Sequence, residues 1–311
     1  MAAPQFKVSE LLAAEKPEET YVSFEFFPPR TEKGEVTLME EHMPVFAKQS
    51  PIFVDFTWGA GGTTYDKTPA LCISAMNHGM NVNMHLTCTN MEEGKVKEAL
   101  DLCKANGIRN IVALRGDPPA GQEWKASAEG FTCALDLVKY IRAHYGDYFC
   151  ICVAGYPEGH PDKIHAERGV MNAEDEVHEL SYLKQKVEAG ADVIITQLFY
   201  DVNVFIRFVK KCRENGINVP ILPGMLPMQS HGGLKRMVSL CKTYLPDDVI
   251  AQTEALAEND EGFKAYGVEL TTKMIRDIVD AKIGINHFHF YTLNLPHSTM
   301  KVLDNLGMRK E

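Results

Sequence analysis

Two carboxylates lie in sequence contexts that could support acid–base chemistry. Glu25 stands in FEFFPP, among phenylalanines and before two prolines. Apolar surroundings favour the protonated form of a carboxyl group, so Glu25 could donate a proton near neutral pH. Asp117 follows an apolar run and Gly116 in LRGDPP, where the backbone can approach a ligand closely. Simpler roles stay open, namely an ion pair for Glu25 and a turn aspartate for Asp117.

Three other patterns are weaker. WGAGGTT at 58–64 resembles a phosphate-binding loop but lacks both the GxGxxG spacing and the P-loop lysine. His287 and His289 lie two residues apart, on one face of a strand, where they could hold zinc. Because further ligands do not stand at comparable positions, we predict a core histidine pair and no metal. The basic run RFVKKCR at 207–213 is typical of a solvated helix face.

Eight apolar runs of strand length alternate with helix-period segments, which is the pattern of a parallel sheet with crossover helices. We predict strands at 21–27, 52–58, 82–87, 111–117, 149–156, 192–199, 219–226 and 287–293. The amphipathic segments 172–191 and 202–217 contain glycines near their ends, as helix C-caps do.

Side-chain parity indicates how this sheet closes. In the first strand Ser23 and Glu25 share one face, opposite Val22, Phe24 and Phe26, and three other strands repeat the alternation. Strands with helices outside and a barrel axis inside would show this pattern. We therefore predict an α/β fold, a (β/α)8 TIM barrel. FKVSELLAAE predicts an N-terminal capping helix, and residues 228–286 predict two or three extra helices between strands 7 and 8.

In such a barrel, seven polar side chains converge at the carboxyl ends of the strands, where barrel active sites form. They are Glu25, Thr57, His85, Asp117, Tyr156, Gln197 and Tyr291. Any one of them could be an ordinary hydrogen-bonded residue of a polar layer. The whole set predicts an active site.

Composition limits the class of protein. The 311 residues are 45% hydrophobic and 24% charged, which is typical of globular chains and excludes disorder. The length fits two ordinary domains or one barrel. Since no long linker interrupts the chain, we predict a single catalytic domain over 1–311. The net charge of −10 disfavours a nucleic-acid partner.

Targeting signals and cysteine usage predict the location. The chain shows no apolar run of about 18 residues and no signal peptide, so we expect no membrane association and a soluble protein. Its eight cysteines form no CxxC pair, and several lie in apolar runs. We therefore predict a reducing, cytoplasmic location.

Eight motifs together resemble one family, the methylenetetrahydrofolate reductases, which are FAD-dependent barrels of one-carbon metabolism. The motifs are SFEFFPPRT, DFTWGAGG, HLTCTN, NIVALRGDPP, VAGYPEGHPD, LKQKVEAGADVIITQLFYD, PILPGMLP and HFHFYTLN, in family order over about residues 20–308. The resemblance implies ping-pong reduction of 5,10-methylenetetrahydrofolate to 5-methyltetrahydrofolate by NADH or NADPH, which feeds methionine synthesis. The preferred donor, the polyglutamate preference and the oligomeric state, including a homo-oligomer, stay open.

The resemblance also implies roles for individual residues. Glu25 corresponds to the general acid that protonates N10 of the folate and opens its five-membered ring. Asp117 corresponds to an aspartate beside flavin and folate, whose charge would stabilise the resulting cation. Gln197 and Tyr291 correspond to folate contacts, and Gln197 also to a position near the nicotinamide. The positions implied to hold FAD are Thr57, Trp58, His85, Arg115, Gly116, Asp117, Cys133, Ala134, Tyr156, His160, Glu179 and Lys186.

Four positions depart from the family pattern. Leu295 stands where many relatives have an arginine that contacts folate, and His231, which we expect at the substrate, stands where relatives have an aromatic residue. Glu179 replaces an aspartate at the FAD ribose, and Cys133 replaces a tyrosine. We expect these changes to alter affinity more than the type of reaction.

Eukaryotic relatives usually continue into a domain that binds S-adenosylmethionine. Because the chain ends soon after the last barrel helix, we expect no inhibition by that ligand. Three competing hypotheses remain: another FAD-binding barrel oxidoreductase of the proline-dehydrogenase type, a metal-dependent hydrolase using His287 and His289, and a non-catalytic folate-binding module.

Overall fold

Eight parallel strands close into a barrel in the computed structural model, which describes residues 3–58, 64–89, 91–117, 130–164 and 171–310. The strands are β1 Tyr21–Phe26, β2 Val54–Phe56, β3 Val82–Thr87, β4 Asn110–Leu114, β5 Cys150–Gly155, β6 Val193–Leu198, β7 Ile221–Met225 and β8 His287–Tyr291. Each strand pairs with its neighbours in sequence, and β1 pairs with β8. The predicted TIM barrel is confirmed. Most of the glycine-rich segment 58–64 lies outside the described residues.

Helices surround this barrel and close its amino-terminal end. They are α1 Val8–Ala13, α2 Glu32–Val36, α3 Met43–Ala47, α4 Lys67–Asn77, α5 Glu93–Ala105, α6 Ala134–Tyr145, α7 Ala173–Glu188, α8 Val202–Glu214, α9 His231–Cys241, α10 Asp247–Ala255, α11 Asp260–Asp280 and α12 Pro296–Asn305. A π-helical turn, Thr37–His42, joins α2 to α3. The capping helix is α1, and the extra helices between strands 7 and 8 are α9, α10 and α11. Within the described part of the chain, no helix is both long and apolar enough to cross a membrane.

Several strands are shorter than the sequence predicted. β2 covers only Val54–Phe56, and β4 ends at Leu114. Gly116 turns the chain away from the sheet with a φ of +84°. A Cβ at Gly116 would lie 2.7 Å from Cβ of Thr87, so only glycine fits there. Polar residues expected within these strands therefore lie just beyond their ends, in the loops of the barrel mouth.

Apolar side chains form two separate layers. The larger layer lies between the sheet and the helices and includes Phe24, Phe56, Met84 and Phe290. The smaller layer fills the amino-terminal end of the barrel interior. There α1 packs against inward-facing residues, and the members are Val8, Leu12, Phe53, Val112, Cys150, Cys152, Val193, Ile195 and Leu222. Strands 4 to 7 thus supply much of the apolar interior, whereas inward positions of strands 1, 2, 3 and 8 are largely polar.

Asn110 ties the capping segment to the barrel and provides a test of this arrangement. Its side chain is buried, accepts from the Val8 amide at 2.7 Å, and donates to the carbonyls of Phe6 and Val82, both at 2.9 Å. Asn110→Ala leaves these groups unpaired, so we expect a loss of about 2–3 kcal/mol in the free energy of unfolding. Urea denaturation measures the loss.

The matched control is Asn106→Ala, which removes one exposed hydrogen bond to the Leu102 carbonyl. A change within about 0.5 kcal/mol is expected there. Equal unfolding midpoints for the two variants would contradict the role assigned to Asn110.

Candidate active site

Glu25 lies inside the barrel mouth, among ionisable side chains from three neighbouring strands. Its side chain is 8% exposed, and Oε2 lies 3.4 Å from Nε2 of His289 and 3.5 Å from Nε2 of His85. The fully buried Asp55 places Oδ2 3.1 Å from the same His85 nitrogen. Two carboxylates therefore face two imidazoles within hydrogen-bonding or near hydrogen-bonding distance. We call Glu25, Asp55, His85 and His289 the acid cluster.

Burial and neighbouring charges act in opposite directions within the acid cluster. Burial raises the pKa of the Asp55 carboxyl, although His289 and His85 oppose that rise. Burial also disfavours a charged His85, but the carboxylates of Glu25 and Asp55 outweigh it and raise the pKa of the imidazole. Both shifts favour the protonated form, so the cluster tends to retain a proton, as a site of general acid catalysis must.

The segment after β8 holds the backbone around Glu25. Thr292 donates its hydroxyl proton to the Glu25 carbonyl at 2.6 Å. The Asn294 side chain accepts from the Phe27 amide and donates to the Phe27 carbonyl, both at 2.8 Å. Asn294 and Leu293 adopt positive φ values of 63° and 50°, an uncommon conformation that these contacts help to maintain. Sequence reasoning missed Thr292 and Asn294, since their contacts cross from β8 to β1.

The two histidines of β8 form a buried hydrogen-bonded pair through Ser23, as predicted. His287 Nε2 and His289 Nδ1 lie 2.9 and 2.8 Å from the Ser23 hydroxyl oxygen, and His287 Nδ1 lies 2.6 Å from Oε1 of Glu15. These contacts occupy the ring nitrogens that a metal-dependent hydrolase would need. Among the described residues, Glu25, Asp55 and His85 do bring ligand atoms within 4.8 Å of one another. Hydrogen bonding and proton sharing account for that spacing.

A cleft lies beside the carboxyl end of β5, between that strand, α7 and α8. Lys186 lines it with only 3% of its surface exposed. Its Nζ donates to the Ala154 carbonyl at 2.8 Å and lies 5.0 Å from the centre of the Tyr182 ring. Burial lowers the pKa of Lys186 to about 8, although the charge of Glu179 opposes that fall. A buried ammonium group on the wall of a cleft suits an anionic ligand.

Other residues predicted at the cofactor meet at the same side of the mouth. The rings of Tyr156 and His160 pack edge to face with centres 4.9 Å apart. Burial raises the pKa of Tyr156, and the negative charge of the exposed Asp117 adds to that rise. Burial lowers the pKa of His160. Arg115 Nη1 donates to Asp162 Oδ2 at 3.0 Å, so a guanidinium lies close by.

Several buried polar atoms lack a hydrogen-bond partner within the described ranges. Those near the mouth include Oδ1 of Asp55, Nε1 of Trp58, which is 6% exposed, and Oγ1 of Thr87 beside Gly116. Thr57 lies next to Trp58, where its carbonyl accepts from the Thr68 hydroxyl at 2.9 Å. A bound ligand could supply the missing partners.

The remaining predicted cofactor residues lie on two helices. Cys133 is the N-cap of α6, and Ala134 is the first residue of that helix. Glu179 lines the cleft from α7, and burial raises the pKa of its carboxyl. His85, also predicted at the flavin, places its Nε2 in the acid cluster.

The residues predicted at the folate lie either on barrel strands or at the starts of helices. Gln197 lies on β6, and its Oε1 accepts from the Leu198 amide at 3.0 Å. Tyr291 donates its hydroxyl proton to the Thr196 carbonyl at 2.6 Å, and a Cβ on Gly224 would lie 2.5 Å from its ring. His231 begins α9, with Nε2 3.2 Å from Oε1 of Glu254. Leu295 is the N-cap of α12 and is 48% exposed.

Several positioning residues received no such role from the sequence. Asp55 was not singled out, Ser23 was only a polar member of a strand pattern, His289 was only half of a possible zinc pair, and Glu15 was only part of the predicted capping helix. Strand parity was the signal that could have identified the first three, because it places them inside the barrel with Glu25.

The chain is similar to known proteins over most of its length. A family model described as methylenetetrahydrofolate reductase matches residues 9–307. "Methylenetetrahydrofolate reductase (NADH) 1" of Arabidopsis thaliana is 49% identical over 94% of this chain and 49% of the relative. "5,10-methylenetetrahydrofolate reductase" of Pectobacterium carotovorum is 33% identical over 93% of this chain and 91% of the relative. The chain thus spans about half the length of the plant relative.

A solved structure shares the fold at low identity. It is an uncharacterized protein from Clostridium thermocellum that binds two copies of 5-methyl-5,6,7,8-tetrahydrofolic acid, with a TM-score of 0.65 and 14% identity. The match covers 96% of this chain and 99% of that one. Since the family model and the curated relatives both extend over nearly the whole barrel, the chain belongs to the methylenetetrahydrofolate reductase family.

Proposed function

We propose that this barrel reduces 5,10-methylenetetrahydrofolate to 5-methyltetrahydrofolate, with FAD as its cofactor and NADH or NADPH as electron donor. The observation that carries the proposal is the acid cluster, which places a nearly buried carboxyl group at the mouth of the barrel. Ring opening of the folate requires protonation of a nitrogen, and a shielded carboxyl group suits that step. Family membership supports the choice of substrate.

In the proposed reaction Glu25 donates its proton to N10, and the bond between N10 and the methylene carbon breaks. Positive charge then develops on N5 and the methylene group, and Asp117 lies at the mouth to stabilise it. When bound, FAD would supply the hydride that converts this methylene group to a methyl group, having taken it from the nicotinamide. Gln197 and Tyr291 would orient the folate from β6 and β8.

The residues present fit a flavin dinucleotide. Lys186 and Arg115 would hold its pyrophosphate, since each brings positive charge to the side of the mouth that carries the cleft. Trp58 and Thr87 have buried polar atoms that a ligand could pair. Glu179 lines the same cleft, where its carboxylate would reach the ribose, and the remaining positions implied for FAD would contact it from the loops.

The same observations separate the competing hypotheses. The family match does not favour an oxidoreductase of the proline-dehydrogenase type. A buried acid also has no evident task in the oxidation of a neutral amine.

All eight cysteines are free, which supports the proposal of a reducing, cytoplasmic location. We further propose that the barrel is a single catalytic domain and binds folate and a nicotinamide cofactor, not nucleic acid.

An anaerobic absorption spectrum between 300 and 550 nm tests the proposed function. We expect a yellow protein that bleaches with NADH or NADPH and regains its colour with methylenetetrahydrofolate. Comparing the two donors gives the preferred nicotinamide. A protein that stays colourless after incubation with FAD would contradict the proposal.

Glu25→Gln separates the two half-reactions. The amide cannot protonate N10, so oxidation of the reduced flavin by the folate should slow by about 10²–10⁴-fold. Reduction of the flavin by NADH or NADPH should stay close to the wild-type rate, and it serves as the internal control. Stopped-flow absorbance measures both rates, and an equal loss in both would contradict the assignment of Glu25.

The pKa of Lys186 predicts how the affinity for FAD depends on pH. Because its pKa in the free site is about 8, the ammonium group loses its proton as the pH rises past that value. FAD affinity should therefore fall by up to about tenfold between pH 8 and 9, and Lys186→Met should bind weakly at all pH values. Quenching of FAD fluorescence measures the affinity.

Lys184→Met is the matched control, since Lys184 lies on the same helix with 47% of its side chain exposed. It should bind FAD as the wild type does. A Lys186→Met variant that kept the wild-type pH dependence would show that another group is responsible.

A further inference from the structure

A continuous series of hydrogen bonds runs through the barrel interior, from its amino-terminal end to the mouth. It begins at Glu15, just after α1, and passes through His287, Ser23 and His289 to Glu25. The successive distances are 2.6, 2.9, 2.8 and 3.4 Å. We call these five residues the barrel relay. Its three middle members are buried, with at most 2% of each exposed.

The protons in this relay are coupled, because each neutral imidazole carries one N–H and the serine carries one O–H. With a carboxylate at Glu15, the Nδ1–H of His287 donates to it and leaves Nε2 as an acceptor. The Ser23 hydroxyl then donates to His287 and accepts from the Nδ1–H of His289. His289 Nε2 is left as an acceptor, and Glu25 can satisfy it only as a protonated carboxyl group.

The opposite order of donors leaves Glu25 without its proton. If Glu15 is protonated, every donor in the relay reverses, and His289 Nε2–H points at a Glu25 carboxylate. The charge at one end of the barrel therefore selects the protonation state at the other end. Burial lowers the pKa of His287, so this ring stays neutral and carries a single N–H. The protonation state of Glu15 therefore determines which ring nitrogen of His287 is the donor.

We infer that Glu15 is a remote positioning residue, which acts through His287, Ser23 and His289 to keep Glu25 protonated and oriented for folate ring opening. This inference deepens the proposed function and rests on it. Glu15 suits the role because its side chain is only 5% exposed, while Ala13, Ala14 and Lys16 around it are exposed. Its carboxyl group thus lies at the boundary between water and the relay.

Other ionisable groups also face the end of the relay at Glu25. Asp55 of β2 lies 3.8 Å from Nε2 of His289, and His85 of β3 lies between Asp55 and Glu25. Tyr291 lies on the same strand as His289, and the ring centres are 5.5 Å apart. Since His85 Nε2–H can donate to Oδ2 of Asp55 at 3.1 Å, that oxygen has a donor other than His289. Oδ2 lies nearer to His85 than to His289, which leaves His289 Nε2 to Glu25.

The proton positions in the relay can be measured without flavin or folate. Two-bond ¹H–¹⁵N correlation spectra of protein labelled with ¹⁵N-histidine distinguish Nδ1–H from Nε2–H, and single histidine variants assign the signals. We expect both His287 and His289 to carry the proton on Nδ1 at neutral pH. A wild-type protein with the proton of His289 on Nε2, or with the two rings protonated on different nitrogens, would overturn the inference.

Kinetics test whether the relay acts on Glu25. Glu15→Gln keeps the side-chain shape but removes the charge, and Ser23→Ala interrupts the relay. In both variants the rate of the folate half-reaction should begin to fall at a lower pH than in the wild type. The variants should be about tenfold slower than the wild type at pH 8 and nearly equal to it at pH 6. Flavin reduction should be unchanged. The double variant should be no slower than the single variants, because both changes break the same series of contacts.

Glu10→Gln, an exposed substitution on α1, is the control and should match the wild type. Glu15→Gln carries the test if Ser23→Ala does not fold. Additive losses in the double variant, or a Glu15→Gln profile equal to that of Glu10→Gln, would overturn the inference. If the wild type shows no folate turnover, the proposed function fails, whereas the spectra still decide whether the relay has the stated order.

Discussion

The hydrogen bonds between two buried carboxylates and two imidazoles are the interaction on which the mouth of this barrel depends. Asp55 is fully buried and Glu25 nearly so, and an unpaired charge in such a place is costly. Imidazoles pair these groups without forcing full ionisation, because a histidine can hold or release a proton near neutral pH. The site can therefore keep a proton ready for transfer, which a fixed lysine or arginine partner would disfavour.

The rest of the interior separates this proton chemistry from bulk water and from the positive charge proposed to hold the cofactor. Apolar side chains of strands 4 to 7 pack with α1 and close the amino-terminal end of the barrel. Positive charge lies elsewhere, at Lys186 in the cleft beside β5 and at Arg115 after β4. The acidic and basic halves of the proposed reaction site therefore lie on different strands. That separation prevents the ammonium group from pairing directly with the acid that must stay protonated.

Much of the fold was predictable because each element shows its own local pattern. Alternation of polar and apolar residues identified the inward face of β1, β2, β3 and β8, and helix-period segments ended at Gly190 and Gly216 as expected. The strand ends were less predictable, since pairing with neighbours and the turn at Gly116 determine where a strand stops. His231 shows a similar limit: the family resemblance implied a substrate contact, and no sequence pattern indicated that its ring lies beside Glu254 of α10.

The sequence by itself determined the barrel class, the parity of its strands and the choice of Glu25 as a candidate acid, because these follow from local periodicity and motif. The apolar surroundings expected for Glu25 were wrong, since Phe24 and Phe26 pack on the outer face of the sheet. It also determined the family, through eight motifs in order. Only the tertiary structure decided which side chains surround that acid. Barrel closure brings β8 against β1, and so joins His289 to Ser23 across 266 positions of the chain. Such contacts depend on the register of distant strands, which no local pattern records.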